Sequence, residues 1–210
     1  MPRVARGRLI TIEGLDGAGK TTLATALAAA LAPRVGTVEL LREPGGVAAA
    51  ERVRELVKDP GLEISDRAEA LLYAAARAQL VAQKLAPLLQ TGTWVLLDRF
   101  VDSSLAYQGG GRRLGVEAVR EINRFATEGL EPDRTLLLRL DHHTLRERQR
   151  VRAQAPDRLE RESEEFFVRI ADTYDALAAA EPDRIRVIDA AQPPGAVLEA
   201  ALAEVADLLE

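Results

Sequence analysis

The chain has 210 residues, 47% apolar and 29% charged, with a formal net charge of -5. That is enough apolar material for one core, and it excludes disorder, a fibre and a chain built to coat nucleic acid. The lack of cysteine excludes disulfides, thiolate metal sites and a cysteine nucleophile and points to a reducing cytoplasm, and only two histidines, adjacent at His142 and His143, argue against zinc chemistry.

The opening run passes from basic residues into a short apolar stretch broken by Glu13 and Asp16, and reads as neither a signal peptide nor a membrane span. Apolar runs of strand length at 9–13, 38–41, 94–98, 135–140 and 185–189 alternate with stretches of helical period at 20–31, 48–57, 68–89, 116–127, 144–152, 163–180 and 196–209. This alternation predicts an α/β fold, three layers with a five-stranded parallel sheet between helices. No linker divides the chain, so residues 1–210 are expected to form one domain. Gly109-Gly-Gly111 and the break at 153–157 are expected to be mobile.

Directly after the first strand stands Gly14-Leu15-Asp16-Gly17-Ala18-Gly19-Lys20-Thr21, which matches G-x-x-x-x-G-K-[ST] and leads into a helix at Thr22. Strand before and helix after are the context this phosphate loop requires. Its glycines let backbone N–H groups turn inward on phosphate oxygens, Lys20 adds a compact charge, and the Thr21 hydroxyl can bind Mg²⁺. Of 28 basic residues only Lys20, Lys58 and Lys84 are lysines, and Lys58 and Lys84 read as solvated helix charges.

The loop alone specifies a nucleoside triphosphate. No lysine follows an asparagine, so the N-K-x-D guanine reader of switch proteins is missing. The third strand ends in Asp98-Arg99 instead of the paired acids of motor-type ATPases. An acid beside an arginine suits a metal-side carboxylate next to a phosphate clamp, with a phosphorylated acceptor in place of water. Arg42 ends the second strand and is open to two readings, a grip on the acceptor phosphate or an ion pair with neighbouring acids. Tyr73 and Arg77 share a helix face. By spacing alone they read as a core aromatic and a surface arginine.

Across nearly its whole length the chain resembles bacterial thymidylate kinases. The resemblance rests on residues 12–22, Arg42-Glu43-Pro-Gly-Gly46, Leu72-Tyr73-Ala-Ala-Ala-Arg77, Asp98-Arg99-Phe100, Ser104-Leu-Ala-Tyr107-Gln108-Gly-Gly-Gly111, Asp157-Arg158-Leu-Glu160 and Ile188-Asp-Ala-Ala-Gln192. It implies a P-loop nucleoside monophosphate kinase with its acceptor region over 42–111, transferring the γ-phosphoryl of Mg²⁺-bound ATP to dTMP to give dTDP and ADP. Its nearest rivals are a kinase of another nucleotide or deoxynucleoside and, from another class, a nucleotide-dependent switch that transfers nothing.

The resemblance also implies residue roles. Arg99 binds the acceptor phosphate, with Arg42 and Glu43 lining the same site, and Asp16 accepts from the sugar 3′-hydroxyl. Tyr73 takes the place of the family's usual phenylalanine and stacks on thymine, while Arg77 reads its O4. Ser104 and Gln108 contact the base, Tyr107 crowds out a ribose 2′-hydroxyl, and Gln192 lies on the adenine side, although 190–192 also reads as a simple strand-to-helix turn. Thr21 binds Mg²⁺, with Asp98 acting through water. The alanine-rich helices imply a homodimer, with no nucleic acid or membrane partner.

The segment 146–165 is dense in charge, as a solvated helix pair would be. Arg148 and Arg152 fall on one face, and Arg158 follows a Pro-Asp break, so a lid over about 146–162 is expected. The phosphate loop holds no arginine, which resembles the family members whose transition-state arginine sits in the lid. Arg152 and Arg158 are the candidates.

Overall fold

In the computed structural model, which describes residues 6–141, 144, 145, 147 and 157–209, five parallel strands run in the order β2-β3-β1-β4-β5. They are β1 (Leu9–Glu13), β2 (Val38–Arg42), β3 (Trp94–Asp98), β4 (Arg134–Arg139) and β5 (Ile185–Asp189). The central β1 is buried along its whole length, as a strand covered on both faces must be. The helices are α1 (Lys20–Val35), α2 (Ala48–Lys58), α3 (Asp66–Leu80), α4 (Ala86–Gln90), α5 (Val101–Ser104), α6 (Val116–Thr127), α7 (Glu164–Ala180) and α8 (Pro194–Glu204).

Alternation along β1 divides the core. Ile10 and Ile12 face Leu23, Leu27 and Leu31 of α1 and Val197 and Ala201 of α8. Leu9 belongs to the opposite layer, with Leu80, Leu85, Leu97 and Phe100. Each fully buried leucine contributes about 1.5 to 3 kcal/mol against leaving it exposed. A third cluster gathers Tyr107, Phe166, Ile170 and Tyr174 with Leu137 of β4. Loops leaving the C-terminal ends of β1, β2 and β3 therefore converge at the point where the strand order reverses about β1, the crevice in which such sheets bind ligands.

Several expectations need correction. The stretch 68–89 is not one uniform helix: Ser65 caps α3 through Ala68 N–H, and a π-helical turn, Val81–Leu85, joins α3 to α4. The last helix stops at Glu204 and continues as a 3₁₀ turn over Ala206–Leu209. Gly109-Gly-Gly111 is not a mobile hinge. It closes a π-helical segment, Leu105–Gly111, packed on α7 so tightly that a Cβ on Gly110 would collide with Thr173 Oγ1 and one on Gly111 would come within 2.7 Å of the Phe166 ring. These glycines lack side chains because another helix occupies that space. Of the expected helix 144–152, only Thr144, Leu145 and Glu147 are described.

Candidate active site

The phosphate loop curls through glycines at positive φ, Gly14 at 132°, Gly17 at 98° and Gly19 at 98°, and ends where α1 begins. Lys20 is buried beneath it and donates to the carbonyls of Gly14 and Leu15, both at 3.0 Å. Burial and then the Arg99 charge lower its ammonium to a pKa of about 8, against the opposing pull of Asp16, Asp98 and Glu13. The Thr21 hydroxyl donates to Asp98 Oδ2 at 3.0 Å, bringing two hard oxygen donors together at the loop mouth.

Beside the loop opens a cleft of about 290 Å³. Asp16 of the loop and Lys20 and Thr21 of α1 border it, with Arg42 and Glu43 at the end of β2 and Asp98 and Arg99 at the end of β3. Tyr73, Arg77, Ser104, Tyr107 and Gln108 supply its far wall. All nine residues expected to hold an acceptor therefore border one cavity. Gln192 faces a second hollow of about 290 Å³ on the other side of the loop, shared with Gly17, Ala18, Gly19 and Thr22. The loop carrying Gln192 is also a turn, because Asp189 accepts from Ala191 N–H at 2.9 Å and from Gln192 Nε2 at 3.0 Å.

Arg99 sits at φ 70°, an uncommon conformation for a long side chain. Its guanidinium donates to Asp16 Oδ1 at 3.0 Å, to Ser103 Oγ at 3.0 Å and to Tyr107 OH at 3.1 Å. Burial alone would raise the Asp16 carboxyl, but Arg99 and then Lys20 outweigh it and hold that carboxyl well below the usual carboxylate range.

Arg77 is buried, contrary to a reading from spacing alone. It donates to Glu43 Oε2 at 2.7 Å, Ser104 Oγ at 2.9 Å, the Phe100 carbonyl at 2.8 Å and Asn123 Oδ1. Burial raises the Glu43 carboxyl against the pull of Arg77, and Glu43 Oε1 has no hydrogen-bond partner among the described residues. Arg42 makes the ion pair left open above: Glu51 accepts from it through both oxygens at 3.0 and 3.1 Å and from Gly46 N–H at 2.8 Å. The pair is solvent-accessible, so Arg42 can exchange this partner for an acceptor phosphate at small cost.

Lys58 is more than a solvated charge, because it borders the cleft and pairs with Asp157 at 2.7 Å. Arg158 donates to the Val57 carbonyl at 3.0 Å and to Glu69 Oε2 at 2.5 Å. The buried Glu69 carboxylate also accepts from Gln108 at 2.9 Å and from Arg112 at 3.0 Å. Arg158 thus stands against α2 and α3 in this state of the protein. Arg148 and Arg152 lie outside the described residues.

Sequence reading missed Glu13, Arg54, Ser103, Asp157, Glu160 and Tyr174 as parts of the site or its support. Glu13, Ser103, Asp157 and Glu160 adjoin or lie within quoted motifs, which was the available signal. Glu13 and Tyr174 are 161 residues apart, and only the fold joins them.

A phosphate loop beside an arginine-lined cleft at the switch point of one parallel sheet is the arrangement of a P-loop nucleotide kinase. A family model described as Thymidylate kinase matches residues 12–201. The Enterococcus faecalis protein named Thymidylate kinase is 47% identical over 198 residues, covering 93% of each chain. Its Oenococcus oeni namesake is 49% identical over 194 residues, covering 90% of each. A crystal structure of thymidylate kinase from Ehrlichia chaffeensis superposes with a TM-score of 0.80 at 28% identity, over 96% of this chain and 99% of that one. The chain belongs to the thymidylate kinase family.

Proposed function

We infer that the chain transfers the γ-phosphoryl of ATP to the 5′-phosphate of dTMP, giving dTDP and ADP. The observation that carries this reading is Arg99, which touches Asp16 of the donor loop and also borders the acceptor cleft. In the transfer, an acceptor phosphate oxygen forms a bond to Pγ while the bond from Pγ to the β,γ-bridging oxygen breaks and its electron pair leaves with ADP. The acceptor is already an oxyanion, so no general base is required. Catalysis then consists of positioning and charge neutralisation.

The loop N–H groups and Lys20 hold the β- and γ-phosphates, Arg99 and Arg42 the acceptor phosphate, and Asp16 the sugar. Tyr73 and Arg77 face the base with Ser104, Tyr107 and Gln108, while Gln192 serves the adenine side. Arg152 and Arg158 are the lid candidates for the spreading transition-state charge. Arg158 would have to leave Glu69 to serve.

Thr21 and Asp98 form an all-oxygen donor pair, which fits Mg²⁺. When bound, Mg²⁺ neutralises charge on the β- and γ-phosphates. No helix among the described residues is long and apolar enough to cross a membrane. The same reading gives one kinase domain over residues 1–210, acting in the cytoplasm as a homodimer. Phe125 on α6, 90% exposed, and Leu71 on the adjoining α3, 56% exposed, offer a second copy an apolar face.

The test is a panel of acceptors with ATP and Mg²⁺. Phosphorylation of dTMP in preference to dCMP, AMP and GMP supports the reading, and preference for any other member overturns it.

A further inference from the structure

Glu13 ends β1 with a fully buried carboxylate on the sheet face opposite Ile10 and Ile12. Its Oε1 accepts from Phe100 N–H at 2.7 Å. Its Oε2 accepts from Ser103 Oγ at 2.5 Å and from Tyr174 OH at 2.9 Å. Ser103 Oγ in turn accepts from Arg99 Nη1 at 3.0 Å. Burying a carboxylate costs several kcal/mol unless it is well satisfied, and an apolar residue would fill this position more cheaply. Packing therefore does not explain the acid.

Its hydrogen bonds do. They reach Arg99 at both ends, through the N–H that follows it in the chain and through the serine at the tip of its guanidinium. The first braces a residue whose φ of 70° needs support from its surroundings. The second orients a long side chain with many rotamers. Ser103 has one hydrogen, and giving it to Glu13 turns a lone pair toward Arg99, which can only donate.

We propose that Glu13, acting through Ser103 and the Phe100 N–H, is the positioning residue that aims the Arg99 guanidinium at the acceptor phosphate. The proposal rests on the reading of Arg99 as the acceptor clamp. Glu13 touches neither substrate in this scheme. Its effect passes through Arg99 and belongs to acceptor binding, while the contacts that hold ATP stay as they are.

The experiment measures dTMP and ATP binding separately by titration calorimetry for the wild type, Ser103→Ala, Glu13→Gln, Arg99→Ala and the Ser103→Ala/Arg99→Ala double variant, with melting curves to confirm folding. Glutamine can still accept from Phe100 but presents donors as well as an acceptor, which disturbs the orientation of Ser103. Ser103→Ala and Glu13→Gln are expected to weaken dTMP about tenfold and leave ATP within about twofold, because a charge-assisted contact loses its aim. In the Arg99→Ala background, Ser103→Ala should change dTMP affinity by less than about twofold, since no guanidinium remains to be aimed.

An equal loss in both backgrounds, or a parallel loss of ATP, would overturn the positioning role. Wild-type dTMP affinity in Arg99→Ala would instead overturn the clamp reading itself. If the Ser103 and Glu13 variants fail to fold, Tyr174→Phe, which removes one hydroxyl donor from Glu13, must weaken dTMP about two- to threefold with ATP unchanged. Wild-type dTMP affinity there would overturn the proposal.

Discussion

Asp16 and Arg99 lie 83 residues apart in sequence and meet at 3.0 Å where the phosphate loop opens into the acceptor cleft. An acid inside an anion-binding loop repels the ligand that the loop is built to hold. Here Arg99 absorbs that repulsion, with Lys20 Nζ 3.7 Å from the same Oδ1. The acid joins the phosphate loop to the residue that follows β3 and also keeps its charge to a pH well below neutrality.

Asp16→Asn therefore separates the two effects. It removes a negative charge next to the triphosphate, so ATP affinity should hold or rise, while Arg99 loses its anchor and turnover with dTMP should fall at least about tenfold. Calorimetry for ATP and initial rates for dTMP check this. A loss of ATP affinity with normal turnover would contradict it.

Glu13 predicts an unusual pH dependence of stability. Burial first, then the Asp102 charge, raise its pKa to about 7, against the opposing pull of the Ser103 hydrogen bond, the Arg99 charge and the Phe100 N–H. Tyr174 OH also donates to it, and the Lys20 charge interacts with it across the base of the loop. The folded state then binds a proton more tightly than the unfolded chain, so this residue makes stability fall as pH rises from about 4.5 to about 7. Subtracting the denaturant unfolding free energy of Glu13→Gln from that of the wild type at each pH should give a difference that declines over this window. A flat or rising difference would show that the carboxylate is charged there at no penalty.

Much of this protein was legible before folding, for reasons that differ by feature. Three strands matched their predicted bounds because a buried parallel strand writes a continuous apolar run between turns. The phosphate loop was legible because its chemistry is local, with backbone, lysine and hydroxyl all within eight residues. Glu13, Ser103 and Tyr174 were not, because their meaning lies in contacts between β1, α5 and α7. Gly109-Gly-Gly111 was misread because a glycine run signals freedom in isolation and close packing when a helix fills the space. Lys58 read as surface charge because its partner, Asp157, is 99 positions away in the chain.

That correction is itself testable. Gly110→Ala places a methyl group on Thr173 and should destabilise the fold by about 1 to 3 kcal/mol, as overpacking does. Gly195, in the first turn of α8 with nothing within 4 Å of a built Cβ, is the control, and Gly195→Ala should be neutral or stabilising by up to about 1 kcal/mol. Denaturant midpoints decide it. Equal midpoints for the two variants would return the segment to the mobile reading.

The proposed second copy makes its own prediction. Phe125→Asp puts a charge at a residue that is 90% exposed, so it should leave monomer stability within about 0.5 kcal/mol and convert a dimer to a monomer in sedimentation velocity. A variant that stays dimeric would move the interface away from α6.

The most direct test of the central reading follows the phosphoryl group itself. With ATP labelled at the γ-phosphate, Mg²⁺ and dTMP, label should appear in the β-phosphate of dTDP in step with ADP formation, while inorganic phosphate stays at background with or without dTMP. Label released as inorganic phosphate at a rate indifferent to dTMP would mean that the cleft beside Arg99 does not hold the acceptor, and would contradict the account.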